Sequence, residues 1–347
     1  MSRCIQLARN GFYGAAPNPM VGAVIVHDGK IIGEGYHVRC GGPHAEVNAV
    51  RSVRNPELLK ESTIYVSLEP CSHYGKTPPC ADLIVEKGIP RVVVGCMDPF
   101  AKVAGRGIRK LQEAGIEVTV GVLEAECLAL NRRFITFHTH HRPYITLKWA
   151  ESADGFMDSL RTDYEKEKPY AFSTPYTRML VHRCRAEHQA ILVGRQTALA
   201  DNPSLNLRMW PGKSPLRLVM DRRGDLALFN DGAETRVYLD VLSVLPPYGK
   251  QAGVTCVRLD FSRDILLQIL DDLYRLSVQS LLVEGGHRLL ESFISAGLWD
   301  EIRVEQSPVF LKEGVPSPSW PHGRIRTTEV EGHLLVHILS SRGSSAV

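Results

Sequence analysis

The segment His44-Ala-Glu46, followed by Pro70-Cys71 and then Cys80, contains residue types that bind zinc and move protons. A Zn²⁺ ion held by one histidine and two cysteine thiolates keeps a fourth position open for water and lowers the pKa of that water to about 7. Glu46 lies two residues from a ligand, so it can stand beside the metal without binding it and can transfer protons during a hydrolysis. This set predicts hydrolytic removal of an amine from a nucleobase-like ring.

The spacing of the two cysteines differs from the spacing in most zinc deaminases. Those enzymes usually have Pro-Cys-x-x-Cys, with two residues between the thiols. Here eight residues, 72–79, separate Cys71 from Cys80. Two buried free thiols are the alternative interpretation, because cysteine is among the most buried residue types. That alternative leaves His44 and Glu46 without a role.

Length and composition limit the class of protein. A chain of 347 residues has room for two domains, and 44% hydrophobic with 23% charged residues is typical of a soluble globular protein. The net charge of +3, without a lysine or arginine block, argues against a nucleic-acid partner. The start of the chain predicts an amphipathic helix rather than a signal peptide, and no apolar run approaches the ~18 residues of a membrane span. The eight cysteines lack regular spacing, which favours a reducing compartment, so we expect a cytoplasmic protein without a membrane partner.

The elements that must position the candidate ligands alternate between helix and strand. The segment 44–54 has helical spacing and begins with the candidate histidine ligand. The run 63–68 predicts a buried strand that delivers Cys71 just past its end. Cys80 lies near the start of a second predicted helix, 80–87, and helix N-termini favour anionic thiolates. Further strands and helices in this half predict an α/β domain with a mixed sheet.

The pattern breaks in the polar stretch 131–145, where we place a domain boundary at about residue 142. A second metal site at His138, His140 and His141 is the alternative to a solvated linker there, but no acidic or thiol partner lies near. Beyond the boundary, predicted strands again alternate with predicted helices, which is typical of a largely parallel α/β sheet.

Several of these segments together resemble one family. The eleven-residue segment Pro70-Cys-Ser-His-Tyr-Gly-Lys-Thr-Pro-Pro-Cys80 is similar to the deaminase domain of the bifunctional riboflavin-biosynthesis deaminase/reductase family. Residues 17–26, 41–47 and 103–107 resemble the same family. The likeness continues through the second half, including Val283-Glu-Gly-Gly286, and covers nearly the whole chain.

The resemblance implies a fold and an activity for each half. Residues 1–142 would form a cytidine-deaminase-like domain with a mixed sheet, and residues 143–347 a dihydrofolate-reductase-like α/β domain. The first domain would use one Zn²⁺ to deaminate a small pyrimidine ribotide, 2,5-diamino-6-ribosylamino-4(3H)-pyrimidinone 5′-phosphate. The second would use NADPH to reduce the ribosyl group to ribityl.

The candidate substrate contacts of the deaminase domain are Asn18, His73, Lys76, Thr77, Asp98, Gly105 and Arg106. The amide of Asn18 can both donate to and accept from the edge of a pyrimidinone ring. A lysine between the two cysteines suits a ribose 5-phosphate, and the resemblance gives that insertion this task. A loop that merely spans to the second thiol is the alternative. We interpret His37 as a packed core histidine rather than a contact.

The resemblance and the residue types also suggest contacts in the second half. The candidates beside the cofactor are Ala150, Thr197, Asp201, Gly285 and Gly286. The candidates beside the reductase substrate are Lys148, Arg185, Leu205, Arg208 and Glu284. A glycine pair between a strand and a helix is a place where phosphate meets backbone N–H groups, although it is also simply a good turn. The two arginines suit a sugar phosphate, or are ordinary surface arginines.

Alternatives to this interpretation remain open. Many members of the family carry Ser-x-Trp ahead of the helix that starts here near Thr174, whereas this chain has Pro169 and Ala171 at those two positions. A deaminase with a structural or inactive second domain is therefore one alternative. A nucleoside or tRNA deaminase and a non-catalytic zinc protein are others, although a structural site normally closes all four positions with protein ligands. The sequence leaves a homo-oligomer open.

Overall fold

The computed structural model of the chain describes residues 1–72, 74, 78–99, 105–164, 166–226, 232–244 and 246–341. Three of the predicted substrate contacts, His73, Lys76 and Thr77, lie outside the described residues. The chain divides into two compact units, Met1–Arg142 and Pro143–Val347. Across the described ranges, no helix combines the length and the apolar character that a membrane span requires.

The first unit is built on a five-stranded mixed sheet. Its strands are β1 (Gly22–His27), β2 (Lys30–Tyr36), β3 (Thr63–Leu68), β4 (Arg91–Cys96) and β5 (Glu117–Val120). Their order across the sheet is β2-β1-β3-β4-β5, with β1 antiparallel to both neighbours and the remaining pairs parallel. Asp28 and Gly29 join β1 to β2 with φ values of 46° and 71°, the backbone that an Asp-Gly hairpin turn requires.

Six α-helices are described in this unit. They are α1 (Ser2–Ala8), α2 (Ala45–Ser52), α3 (Cys80–Glu86), α4 (Arg106–Glu113), α5 (Glu124–Leu130) and α6 (Arg132–His140). Helix α2 lies directly against β2, because Gly35 leaves no side chain between them. A Cβ atom on Gly35 would lie 2.4 Å from the backbone nitrogen of Ala49. This close approach fixes the helix that begins at the candidate metal ligand.

The stretch predicted as a polar linker is largely helical, so that prediction is wrong. Helix α6 buries Phe134 and Phe137, which are spaced to share one face of a helix. His138 packs on both rings, with centroid distances of 4.4 and 5.3 Å, and burial lowers its pKa. Within the described part of the chain, the histidines of α6 belong to no group of potential metal ligands.

The second unit is built on a nine-stranded sheet. Its strands are β6 (Tyr144–Glu151), β8 (Ala190–Val193), β9 (Leu216–Met220), β10 (Thr235–Asp240), β11 (Val254–Leu259), β12 (Ser280–Val283), β13 (Glu301–Gln306), β15 (Arg324–Val330) and β16 (His333–Leu339). The order is β11-β10-β9-β8-β12-β6-β13-β16-β15. The strands from β11 to β13 are parallel, and β16 is antiparallel to both neighbours. Two short strands, β7 (Phe156–Asp158) and β14 (Val315–Pro316), pair separately.

Four α-helices are described in this unit. They are α7 (Pro175–Ala186), α8 (Arg195–Asp201), α9 (Ile265–Arg275) and α10 (His287–Ser295). Thr174 caps α7 by accepting a hydrogen bond from the backbone N–H of Thr177, with Pro175 in the first helical position. Helix α8 follows the strand that ends at Val193. The carboxyl ends of parallel strands meet at one edge of a sheet, so the candidate residues near the carboxyl ends of β6, β8 and β12 converge.

Candidate active sites

Three candidate ligands converge where separate elements of the first unit begin or end. His44 is the residue before α2, Cys71 follows β3, and Cys80 is the first residue of α3. The Nδ1 atom of His44 lies 3.5 Å from the sulfur of Cys71 and 3.3 Å from the sulfur of Cys80. All three ligand atoms lie within 4.8 Å of one another. Tetrahedral zinc with bonds of about 2.0–2.3 Å sets its ligands roughly 3.5 Å apart, so this donor set fits the ion in type and spacing.

The sulfurs of Cys71 and Cys80 share a hydrogen bond that strongly favours the thiolate form of Cys71. A hydrogen bond from Cys80 is the main cause that lowers the pKa of Cys71 to about 4, and a hydrogen bond with His44 adds to it. The pKa of Cys80 is raised because its thiol is the donor in that pair. The backbone N–H of Cys80 also donates to the sulfur of Cys71 over 3.3 Å. Thiolates are the form that binds metal, and these surroundings supply the first one.

Glu46 lies in the first turn of α2 and is only 3% exposed. Burial raises the pKa of its carboxyl group to about 7, and the negative charge of Cys71 adds to the rise. A divalent cation on the thiolates would oppose that second effect. The side chain also reaches Cys80 by a hydrogen bond, so it stands next to the ligands without belonging to the group of three. This is the placement that a proton-transferring carboxylate needs.

Asn18 contacts His37, a residue that the sequence predicted only as core packing. The Nδ2 atom of Asn18 lies 3.1 Å from Nε2 of His37, whose Nδ1 atom lies 3.0 Å from the carbonyl oxygen of Pro43. A carbonyl oxygen only accepts, so Nδ1 carries the proton. Burial lowers the pKa of His37, which leaves Nε2 to accept from Asn18. The rings of His37 and His44 meet edge to face at 5.3 Å, so this contact adjoins the metal ligands.

The predicted ribose-phosphate residues Asp98 and Gly105 lie against Glu69, a residue that the sequence analysis did not single out. Glu69 is 3% exposed and stands between β3 and Cys71. Its carboxylate accepts hydrogen bonds from the backbone N–H groups of both residues, over 3.3 and 3.0 Å. Arg106 is exposed at the first position of α4. The signal for Glu69 was its place in Glu-Pro-Cys, just ahead of the first thiol.

In the second unit, Arg185 and Glu284 form an ion pair between the last turn of α7 and the end of β12. Nη2 and Nε of Arg185 lie 2.7 and 3.2 Å from the same carboxylate oxygen. Burial alone would raise the pKa of Glu284, but the charges of Arg185 and Lys148 hold it below its ordinary value. Lys148 is near because β6 runs parallel to β12 with Leu147 opposite Val283. The predicted trio of Lys148, Arg185 and Glu284 is therefore brought together.

His182 belongs to the same cluster and was missed from the sequence. It is buried one turn before Arg185 on α7, and its Nδ1 atom accepts the backbone N–H of Arg208 over 3.3 Å. Burial lowers the pKa of His182, and the charges of Arg185 and Arg208 lower it further. The guanidinium of Arg208 bonds to Asn206 over 2.9 Å. Leu205 is only 2% exposed and belongs to a buried cluster of the core.

Thr197 on α8 faces the glycine turn that follows β12. Cβ atoms on Gly285 and Gly286 would lie 3.2 and 3.1 Å from the side chain of Thr197. Both glycines have φ values in the left-handed range, 118° and 76°. Asp201, at the end of α8, is instead paired with Arg161 over 2.6 Å. Ala150 is on β6, opposite Glu305 of β13.

Comparison with known proteins bears on both units. Residues 1–96 match the family described as "Cytidine and deoxycytidylate deaminase zinc-binding region", and residues 143–329 match the "RibD C-terminal domain". The riboflavin biosynthesis protein RibD of Aquifex aeolicus is 40% identical over 91% of this chain and 88% of its own length. This chain belongs to the RibD family.

Other RibD proteins give the same result. RibD of Escherichia coli strain K12 is 36% identical over 90% of this chain and 87% of its own length. A solved structure from Thermotoga maritima superposes with a TM-score of 0.84 and 36% identity, covering 98% of this chain and 97% of that chain. That protein is described as a diaminohydroxyphosphoribosylaminopyrimidine deaminase/5-amino-6-(5-phosphoribosylamino)uracil reductase.

Membership of the RibD family confirms the resemblance and the fold class predicted from the sequence. The chain is an α/β protein with a cytidine-deaminase-like unit followed by a dihydrofolate-reductase-like unit. It is a bifunctional enzyme of riboflavin biosynthesis with a deaminase and a reductase domain. These domains indicate zinc and a nicotinamide cofactor. A deaminase with a structural or inactive second half finds no support.

The segment that departs from many RibD sequences is anchored to its own unit. Phe172 is buried, and its ring lies 4.8 Å from that of Tyr170. The hydroxyl of Ser173 donates to Glu305 over 2.7 Å, and the backbone N–H of Tyr170 donates to Asp158 over 2.8 Å. An aromatic pair therefore stands in the segment where the usual tryptophan is missing.

Proposed function

We propose that this chain catalyses two consecutive steps of riboflavin biosynthesis. Residues 1–142 deaminate 2,5-diamino-6-ribosylamino-4(3H)-pyrimidinone 5′-phosphate, and residues 143–347 then reduce the ribosyl group to ribityl with NADPH. The observation that carries the proposal is the convergence of His44, Cys71 and Cys80 beside the buried Glu46. The relative from Thermotoga maritima is described as both a deaminase and a reductase, which supports assigning one of these activities to each half of this chain.

In the deaminase, His44, Cys71 and Cys80 would hold Zn²⁺, which supplies Lewis acidity that makes a bound water more acidic. Glu46 accepts a proton from the attacking water and delivers protons to the ring nitrogen and to the leaving amine. A C–O bond forms at C2 of the pyrimidinone, the C–N bond breaks, and ammonia leaves. Asn18 orients the ring through its amide.

The phosphate end of the substrate is assigned to a separate set of residues. They are His73, Lys76, Thr77, Asp98, Gly105 and Arg106. Lysine and arginine side chains attract a phosphate dianion. The residues around the metal and the residues around the phosphate together hold the ribotide in one orientation.

In the reductase, the nicotinamide cofactor supplies a hydride to C1′ of the opened ribose. Ala150, Thr197, Asp201, Gly285 and Gly286 border that cofactor, with the glycine turn open to its phosphates. The substrate is bordered by Lys148, Arg185, Leu205, Arg208 and Glu284. Lys148 stands beside Glu284 and would supply the polar contact to the C1′ carbonyl or imine of the substrate.

The partners that we propose are small pyrimidine ribotides, with neither nucleic acid nor membrane involved. A cytoplasmic location and a homo-oligomeric state are part of the same proposal. NADPH rather than NADH is the proposed cofactor, by the resemblance to the family.

Analysis of the products tests the assignment. The purified protein is given the diaminopyrimidinone ribotide, and the products are identified by chromatography and mass spectrometry. Without NADPH, the deaminated ribosyl compound should accumulate, and with NADPH it should be replaced by the ribityl compound. Persistence of the ribosyl compound in the presence of NADPH would contradict the role of the second unit.

A further inference from the structure

The carboxylate of Glu69 collects four backbone N–H groups. One oxygen accepts from Asp98 and Gly105, over 3.3 and 3.0 Å, and the other accepts from Gly107 and Ile108, over 2.9 and 3.3 Å. Carboxylates are acceptors only, with about four lone-pair sites, so each oxygen is used twice. The side chain is 3% exposed, and the bonds are therefore shielded from water.

The donors lie on both sides of Arg106, which is exposed at the start of α4. The backbone N–H of Gly105 donates to one carboxylate oxygen of Glu69 and that of Gly107 donates to the other. The two residues that flank Arg106 are therefore both fixed to Glu69. Asp98 donates from the other end of the same segment of chain. A single side chain thus fixes four backbone positions, 98, 105, 107 and 108, on the proposed phosphate side of the site.

Glu69 is also linked closely to a candidate metal ligand, because only Pro70 separates it from Cys71 in the chain. Glu69 precedes Pro70 and Cys71, and its own N–H donates to the carbonyl of Cys96 over 3.0 Å. Gly107 lies directly on Pro70, because a Cβ atom there would be 1.9 Å from the Pro70 carbonyl oxygen. The position of α4 relative to Cys71 is therefore set by Glu69 and by this close approach.

We propose that Glu69 is a positioning residue of the deaminase, which fixes Arg106 relative to Cys71 so that Arg106 and the metal bind the two ends of one substrate. This rests on the proposed function, because it takes Arg106 as a contact of the ribose phosphate. Within the described residues, Glu69 is outside the group of candidate metal ligands.

The substitution Glu69→Gln separates this role from a general structural one. Glutamine replaces one acceptor oxygen by an NH₂ group, which cannot accept from either of its two donors, so one side of Arg106 is released. We expect KM for the ribotide to rise about tenfold, with little change in kcat and with full zinc content. The dephosphorylated riboside should show no such rise, because it lacks the group that Arg106 meets.

A matched control is Ser62→Ala, at the opposite end of β3. Ser62 is also buried, and its hydroxyl donates to the carbonyl of Leu58 over 2.6 Å. This variant should lose comparable thermal stability while keeping the preference of wild type for the ribotide over the riboside. Arg106→Ala should raise KM as Glu69→Gln does, and the double variant should be little worse than either single one.

Each of the following results overturns the proposal. If Glu69→Gln weakens ribotide and riboside equally, the residue is structural only. If Glu69→Gln does not fold or loses zinc, Glu69→Asp takes its place, and a folded, zinc-loaded Asp variant with an unchanged phosphate preference contradicts the role. A wild-type enzyme that does not distinguish ribotide from riboside contradicts the proposed function and the role together, whereas a wild-type preference that survives the substitution contradicts only the role of Glu69.

Discussion

The amide nitrogen of Asn18 lies 3.1 Å from Nε2 of His37, and the opposite ring nitrogen of His37 is bonded to the Pro43 carbonyl oxygen. This chain of two hydrogen bonds orients the amide, because reversing it would set the amide oxygen against a ring nitrogen that has only a lone pair. The Oδ1 atom and one N–H of Asn18 are left for a ligand. We therefore propose that His37 acts on the pyrimidine ring of the substrate through Asn18.

Substitution of His37 by phenylalanine keeps a ring beside His44 but removes the acceptor. We expect KM for deamination to rise about tenfold because the amide of Asn18 loses its orientation, while zinc content stays full. Steady-state kinetics and metal analysis check this. His27→Phe, at the far end of β1, is the control and should leave KM unchanged. Additive effects of His37→Phe and Asn18→Ala in a double-mutant cycle would refute the link.

Glu46→Gln tests the proton-transferring role. The variant should retain zinc, because Glu46 is outside the group of three ligands, but deamination should fall by about 10³-fold. Reduction of supplied deaminated substrate should be unchanged. Glu57→Gln, an exposed carboxylate of the same unit, serves as the control. Deamination by Glu46→Gln near the wild-type rate would exclude the assigned role.

The helices and the strand that carry the candidate metal ligands could be predicted from local sequence patterns. Cys71 comes three residues after the end of a buried apolar run, and Cys80 begins a segment with helical spacing, so β3 and α3 could be predicted within a residue or so. The helix predicted over 44–54 is observed as Ala45–Ser52. Such elements carry their own periodicity and end signals.

Contacts between distant segments could not be predicted in this way. Glu69 collects donors some thirty or more positions along the chain, and His182 meets the backbone of Arg208 only after α7 has packed. Helix α6 was missed because its polar residues obscured the pair of phenylalanines that it buries. The hairpin of β15 and β16 was also missed, since β15 is almost entirely exposed and has no apolar face to signal it.

Arg185→Lys tests the ion pair in the reductase unit. Lysine keeps the charge beside Glu284 but loses the planar fork, so KM for the reductase substrate should rise about tenfold. Deamination by the same protein should be unaffected. The control is Arg236→Lys, since Arg236 binds Asp272 through two nitrogens, each at 2.7 Å. Equal effects of the two substitutions on KM would mean that Arg185 has no specific part in substrate binding.

Gly286→Ala tests the glycine turn. Its φ of 76° strains any other residue, and the added methyl would lie 3.1 Å from the hydroxyl of Thr197. We expect the affinity for NADPH to fall about tenfold, measured by fluorescence titration and by the smaller thermal shift that NADPH produces.

Gly332→Ala is the matched control for that substitution. Gly332 has a φ of 77°, and nothing lies within 4 Å of an added Cβ. It should be strained to a similar degree but should bind NADPH as the wild type does. Unchanged NADPH affinity in Gly286→Ala would remove the turn from the cofactor site.

The most direct test of the whole account follows ammonia release and NADPH oxidation in one reaction with the diaminopyrimidinone ribotide. We expect both ammonia release and NADPH oxidation, with NADPH oxidation beginning only as ammonia appears. With this substrate, Glu46→Gln should abolish both. The same variant should still oxidise NADPH when the deaminated compound is supplied. Ammonia release by the wild type without NADPH oxidation would contradict the claim that one chain performs both steps.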